Sequence, residues 1–155
     1  MLIIACVLGR CWAMLYIGGN KNARLMTTGP YSLCRNPLYL FSVIGVVGFG
    51  FMLQSLVYTV VLTSITVVIL LQAARQEEAY LSGKFAEDYA AYLNSVPRFM
   101  PAHFGAFQTA PVVYVNVRSL KQCFWDAAFF ILAIPALELL EWLHGVNAVA
   151  TFLMF

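Results

Sequence analysis

Two short polar cassettes carry most of the side chains in this chain that are equipped for chemistry. The first reads Gly29-Pro30-Tyr31-Ser32-Leu33-Cys34-Arg35-Asn36-Pro37-Leu38-Tyr39, and the second Arg75-Gln76-Glu77-Glu78. In the first, Gly29-Pro30 sets a turn and Pro37 biases Asn36 away from helix. Residues 31–36 therefore form a shaped loop at the mouth of a helix that starts near Pro37. Exposed backbone amides at a helix N-terminus favour a carboxylate or another anion, and Tyr31 and Tyr39 offer flat faces to a purine or a sulfonium. In the second cassette, adjacent helical positions point about 100° apart. This predicts that one of Glu77 and Glu78 faces a site while the other faces water or a basic partner. A plainer assignment stays open for both: an interfacial loop with aromatic and arginine anchors, and the solvated start of an amphipathic helix.

The elements between the cassettes explain how they meet. From Arg35 to Arg75 lie 39 consecutive residues without a charge. At about 20 apolar residues per membrane helix, that run crosses a bilayer twice and returns both cassettes to one membrane face. The whole chain, 155 residues, is 62% hydrophobic and 10% charged, with a mean hydropathy of +0.81. Soluble domains carry about a quarter charged residues, so the expected fold class is all-α, a polytopic helical membrane protein. A β-barrel would show short segments of alternating hydrophobicity, and this sequence has none.

About four membrane helices are expected, over residues 2–17, 37–53, 56–74 and 123–143, with Gln54-Ser55 as a minimal turn and Pro135 kinking the last. Residues 1–18 lack a basic leader region and read as a first membrane helix rather than a secretory signal. From Arg75 the periodicity changes, predicting an interfacial amphipathic helix over residues 75–93. Pro97 and Pro101, flanking Arg98-Phe99-Met100, end it. Residues 102–122 read as a mixed loop, and residues 146–155 as an interfacial or folded-back end. This divides the chain into a core, 1–101, and an extension, 102–155. Eight of the nine Lys and Arg fall on the cassette side of this topology, which makes that face cytoplasmic.

Several function classes drop out. The net charge of +2 is too small to suggest nucleic-acid binding. Cys6, Cys11, Cys34 and Cys123 lack metal-like spacing and read as reduced, buried small side chains. Glu138, Glu141 and His144 fall roughly on one helical face, a pattern that would suit a metal or proton relay but is also common at the polar ends of membrane helices.

The order of the motifs carries more than any one of them. Gly29–Tyr31, Arg35–Tyr39 (Arg-Asn-Pro-x-Tyr), an apolar hairpin, Glu77–Leu81 (Glu-Glu-x-x-Leu), Phe85–Tyr92 and Val96–Pro101 occur in that sequence. Over about residues 9–101 the chain resembles the isoprenylcysteine carboxyl methyltransferase family, and more loosely the phospholipid N-methyltransferases. The resemblance implies an integral-membrane, multi-pass methyltransferase core over 1–101 that uses S-adenosylmethionine without a Rossmann fold, its site facing the cytoplasm. It implies cofactor contacts at Arg24, Leu25, Met26, Tyr31, Asn36, Pro37, Leu38, Tyr39 and Glu77. Backbone amides would meet the methionine carboxylate, aromatics would meet adenine and sulfonium, and Glu77 would meet amino or ribose groups.

The sequence departs from the family at two positions. Asn36 stands where the family often has His, and keeps a donor and an acceptor. An Arg expected four residues before Glu77 to engage the substrate carboxylate is Ala73. Arg75 lies about 200° around the helix from it, and Arg98 is the candidate replacement.

The implied acceptor is lipid-like or lipid-anchored, a prenylated molecule or a membrane lipid. A carboxylate acceptor is already ionised at neutral pH, so esterification needs no general base. An amine must first lose a proton, with Glu78 or a tyrosine assisting. The catalytic candidates are thus Glu78, Arg98 and Arg75. Phospholipid N-methylation and a non-catalytic membrane protein that keeps the fold are the competing readings.

Overall fold

The computed structural model describes residues 1–18, 24–101, 105 and 107–125, and the single positions 128, 132, 135, 139 and 142. The described residues are helical or irregular, with no strand. The helices are α1 (Leu2–Ile17), α2 (Pro30–Leu33), α3 (Pro37–Met52) and α4 (Leu56–Ser95), and residues 117–125 are helical as well. One of these, α4, is long and apolar enough to cross a membrane, while α1 and α3 are shorter apolar helices. The most apolar stretch of α4 has a mean hydropathy of 2.2 and is only 6% buried. Val57, Val61, Ile65 and Val68 stand about half exposed or more along it, as side chains facing lipid would. Among the described residues the only regular structure is helical, and α4 points to membrane association.

Small residues set the helix contacts. A side chain at Gly9 of α1 would strike the Phe41 ring of α3, and one at Gly45 of α3 would lie 2.5 Å from the Cys6 sulfur of α1. Gly50 of α3 meets Thr59 of α4 in the same way. Such close backbone approach is how apolar helices associate without a hydrophobic driving force between them. At the α3–α4 turn Gln54 takes a positive φ of 52°, and the Ser55 side chain accepts the Tyr58 backbone N–H at 3.4 Å. The best-buried aromatic cluster gathers at the opposite end of the helices, where Tyr31, Tyr89 and Tyr92 are each under 7% exposed.

The structure corrects the expected elements in three places. First, no separate helix begins at Arg75: α4 runs through that point, and its break falls at Ala86 (φ 33°, ψ −102°). The Gln, Glu, Ala and Leu residues after Arg75 are good helix formers, so the change of periodicity alters which side is wet without ending the helix. Second, residues 30–33 of the expected loop form α2, whose first residue is the φ-restricted Pro30. Third, the helix expected from residue 123 starts at 117. Asn116 caps it, its Oδ1 accepting the N–H groups of Arg118 at 2.9 Å and Ser119 at 3.4 Å, the bonding pattern of an N-cap. Most of residues 123–143, together with Glu138, Glu141, His144 and residues 146–155, lie outside the described residues.

Candidate functional site

The first cassette is fastened on three sides. Its Arg35 and Asn36 backbone N–H groups donate to the carbonyls of Pro97 and Arg98 at 2.9 and 3.1 Å, and the Asn36 Nδ2 donates to the same Arg98 carbonyl at 3.3 Å. Below it, the buried Tyr92 hydroxyl donates to the Tyr31 carbonyl at 2.7 Å. Beside it, the Gly29 N–H donates to the Gln108 carbonyl at 2.7 Å, and the Gln108 N–H to Ser32 Oγ at 3.0 Å. Gly29 has φ 63°, and a side chain there would also collide with the Tyr16 ring, so that position admits only glycine without strain. The Phe107 ring sits 6.0 Å from Trp12 of α1.

Two carboxylates from α4 meet this loop. The Tyr39 hydroxyl donates to Glu77 Oε2 at 3.1 Å. Glu78 is gripped by two arginines. Arg98 donates from Nε to Oε1 at 2.9 Å and from an Nη to Oε2 at 2.7 Å, and Arg35 approaches Oε1 at 3.3 Å. The Arg35 and Glu78 side chains are each 13% exposed, Arg98 36%. The hydrogen bond to Glu78 raises the Arg98 pKa. Burial raises those of Tyr31, with Glu77 adding to the effect, and of Cys34, whose thiol is pushed up to about 11.

These groups enclose two adjoining chambers. The first, of about 50 Å³, is walled by Arg24, Leu25 and Met26 together with Tyr31, Arg35, Asn36, Glu77 and Glu78. The second, of about 170 Å³, is walled by Asn36 to Tyr39, Tyr31, Arg35 and Glu77, and closed by Met14 and Ile17 of α1. A separate apolar slot of about 200 Å³ lies between Leu40 and Val43 of α3, Val67, Leu70 and Leu71 of α4, and Phe99.

Every residue expected to contact a cofactor lines at least one chamber: Arg24, Leu25, Met26, Tyr31, Asn36, Pro37, Leu38, Tyr39 and Glu77. Of the three expected at the chemistry, only Glu78 does so. Arg98 lines neither chamber because its guanidinium is spent on Glu78, and Arg75 is exposed and lines neither. Glu77 and Glu78 both line the first chamber, where only one was expected to face the site, while Glu78 meets the basic partners expected of the other. Adjacent side chains on a helix straddle a groove when the partner loop wraps both, as the fastening of Arg35 and Asn36 to Pro97 and Arg98 makes it do here. Sequence reasoning left Arg35, Leu81, Tyr89 and Tyr92 off the site. Leu81 was findable as the residue one turn beyond Glu77. Tyr89 and Tyr92 stand in the Phe85–Tyr92 motif, but no helical phase carried on from Glu77 reaches them, because the backbone breaks at Ala86.

Fold and site together define a helical, membrane-associated protein with a polar cavity at one end of its apolar helices. The chain belongs to the phospholipid methyltransferase family, which it matches over residues 6–88 and which includes the isoprenylcysteine carboxyl methyltransferase-like proteins. It is 34% identical over 139 residues to the cobalt-zinc-cadmium resistance protein CzcN of Cupriavidus metallidurans, covering 90% of this chain and 63% of that protein. It is 33% identical over 140 residues to the nickel-cobalt-cadmium resistance protein NccN of Alcaligenes xylosoxydans xylosoxydans, covering 88% of this chain and 65% of that protein. The chain thus spans a little under two thirds of the length of either relative. No solved structure matches it.

Proposed function

We propose that this chain is an integral-membrane, multi-pass, S-adenosylmethionine-dependent methyltransferase acting on a lipid-like or lipid-anchored acceptor, with its cavity open to the cytoplasm. One observation carries the reading. The two ends of the uncharged run close on two adjoining polar chambers whose walls include Tyr31, Arg35, Asn36 and Glu77 from both cassettes. Carboxylate, guanidinium, amide and hydroxyl groups converging on one enclosed space suit a polar, charged ligand. Family membership supplies the donor class, since these methyltransferases generally use S-adenosylmethionine. The eight basic residues expected on the cassette side support the cytoplasmic orientation.

The residues present fit that cofactor. Glu77, its carboxylate steadied by Tyr39, would accept from amino or ribose groups, and Arg24 to Met26 and Tyr31 would enclose the remainder. When bound, the cofactor supplies a methyl group on a positively charged sulfur. Met14, Ile17, Leu38 and Leu81 give the chambers apolar walls that exclude water, and held geometry contributes most of the rate in such a displacement. Glu78 is committed to Arg35 and Arg98, so it is no free base. Proton removal from an amine acceptor would fall to Glu77 with Tyr39, whereas a carboxylate acceptor needs none. The apolar slot beside Phe99 suits the hydrocarbon tail of the acceptor.

The test is calorimetric titration with S-adenosylhomocysteine, followed by transfer from radiolabelled cofactor to total membrane lipid. Binding and labelled lipid are expected; folded protein that binds nothing would overturn the reading. Label in phosphatidylcholine-type lipids would identify N-methylation.

A second reading is favoured by Ala73 and by the engagement of Arg98 with Glu78, which leave the expected substrate arginine without a substitute from α4 or the 97–101 segment. In it the chain keeps the cavity without turnover and serves in metal resistance, the role in the names of CzcN and NccN. Among the described residues no group of three or more His, Cys, Asp or Glu is placed to hold a metal ion. Cofactor binding with no label in any lipid fraction would select this reading.

A further inference from the structure

We infer that Arg35 is the anion-receiving residue of the cavity, holding an oxyanion that is either the carboxylate of the cofactor's methionine part or an acidic group of the acceptor. The inference rests on the methyltransferase reading and assigns a role to a residue which that reading left out.

Three observations lead to Arg35. Its side chain is 13% exposed and lines both chambers. Its own hold on Glu78, at 3.3 Å, is the loosest of that carboxylate's three polar contacts. The alternatives are used elsewhere. Arg98 spends Nε and an Nη on Glu78 and lines neither chamber. Arg75 is exposed, and Arg10 bonds Ser42 in the seam between α1 and α3. Arg24 lines only the first chamber. Arg35 is therefore the one cation among the described residues common to both.

The charges around it point the same way. Glu78 is shared between two guanidinium groups, so one carboxylate cannot neutralise both. The backbone holds Arg35 in place through its N–H to the Pro97 carbonyl at 2.9 Å, which lowers the entropy lost when a ligand arrives. A guanidinium that lines both chambers, fixed beside a carboxylate it shares with Arg98, is suited to an incoming oxyanion. Glu77 lines the same two chambers, so a ligand carrying both a carboxylate and an ammonium finds a partner for each.

The test compares calorimetric affinities of the full chain in detergent for S-adenosylhomocysteine and for its decarboxylated analogue, which keeps the amine. The parent protein should prefer S-adenosylhomocysteine by roughly tenfold to a hundredfold, the range of a charge-assisted hydrogen bond. Arg35→Gln and Arg35→Lys should erase that preference while binding the decarboxylated analogue as the parent does. Arg35→Lys keeps a positive charge for Glu78, so it remains informative if Arg35→Gln does not fold. Arg98→Gln removes the other guanidinium from Glu78; it should lower the melting temperature and keep the preference, separating anion binding from a structural role. If the preference survives in the Arg35 variants, methyl transfer to vesicles of phosphatidylethanolamine and phosphatidylglycerol decides the source. A rise of tenfold or more in the half-saturating lipid concentration supports the inference and assigns the anion to the acceptor. No change in either measurement overturns it. A parent protein that binds neither nucleoside overturns the methyltransferase reading itself.

Discussion

The Tyr39 hydroxyl donates to Glu77 Oε2 at 3.1 Å across 38 residues of sequence, and that one bond joins the two ends of the uncharged run. Tyr39 sits in the first turn of α3 and Glu77 more than five turns along α4, so the bond exists only because the hairpin folds back on itself.

If Glu77 accepts from the cofactor, its loss should cost more than the loss of Tyr39. Tyr39→Phe removes one neutral donor and should weaken S-adenosylhomocysteine binding by about 1 kcal/mol. Glu77→Gln removes the charge and should cost about 2–3 kcal/mol. Titration calorimetry on folded variants measures both. Equal effects, or none at Glu77, would remove Glu77 from the cofactor site.

Glu78 holds the 97–101 segment against the first cassette through Arg98 and Arg35. Glu78→Gln leaves two guanidinium groups facing each other. The expected cost is about 2 kcal/mol, kept modest because Arg98 is a third exposed. For a chain of this size that is a fall of roughly 4–8 °C in Tm. A thermal melt in detergent reads it, and an unchanged Tm would mean that the cluster contributes nothing to stability.

Cys34 makes a pH prediction. Its thiol ordinarily ionises near 9 and is pushed up to about 11 by burial. Between those values the unfolded chain has released the proton and the folded chain has not. The contribution is therefore complete below pH 9 and lost as pH rises towards 11. Replacing Cys34 with Ala should flatten that alkaline decline, measured as Tm against pH. At neutral pH the same burial should leave Cys34 unreactive to maleimide while the protein is folded.

The sulfurs of Cys11 in α1 and Cys123 in the 117–125 helix lie 3.2 Å apart. An oxidant such as copper phenanthroline should couple them within one chain, with loss of two hydrogens, and tandem mass spectrometry would locate the bond. Coupling only between molecules, or through Cys6 or Cys34, would contradict the placement of the C-terminal helix against α1.

Local chemistry was enough to foretell much of this molecule. Pro37, with its restricted φ, starts α3 where expected, and the apolar run from Leu2 forms α1 over the expected residues. The low charge content points to membrane association, and the two cassettes contain half of the cavity walls. These follow from properties that each residue or short run carries by itself. Packing decided the remainder. The fastening of Asn36 to Arg98 and the shared grip of Arg35 and Arg98 on Glu78 depend on partners 20 to more than 60 residues away. So does the choice of arginine left facing the cavity. Arg35, Arg75 and Arg98 look equally available along the chain. Only when the backbone of Arg35 and Asn36 hydrogen-bonds to residues 97 and 98 is one exposed, one spent on Glu78 and one left lining both chambers.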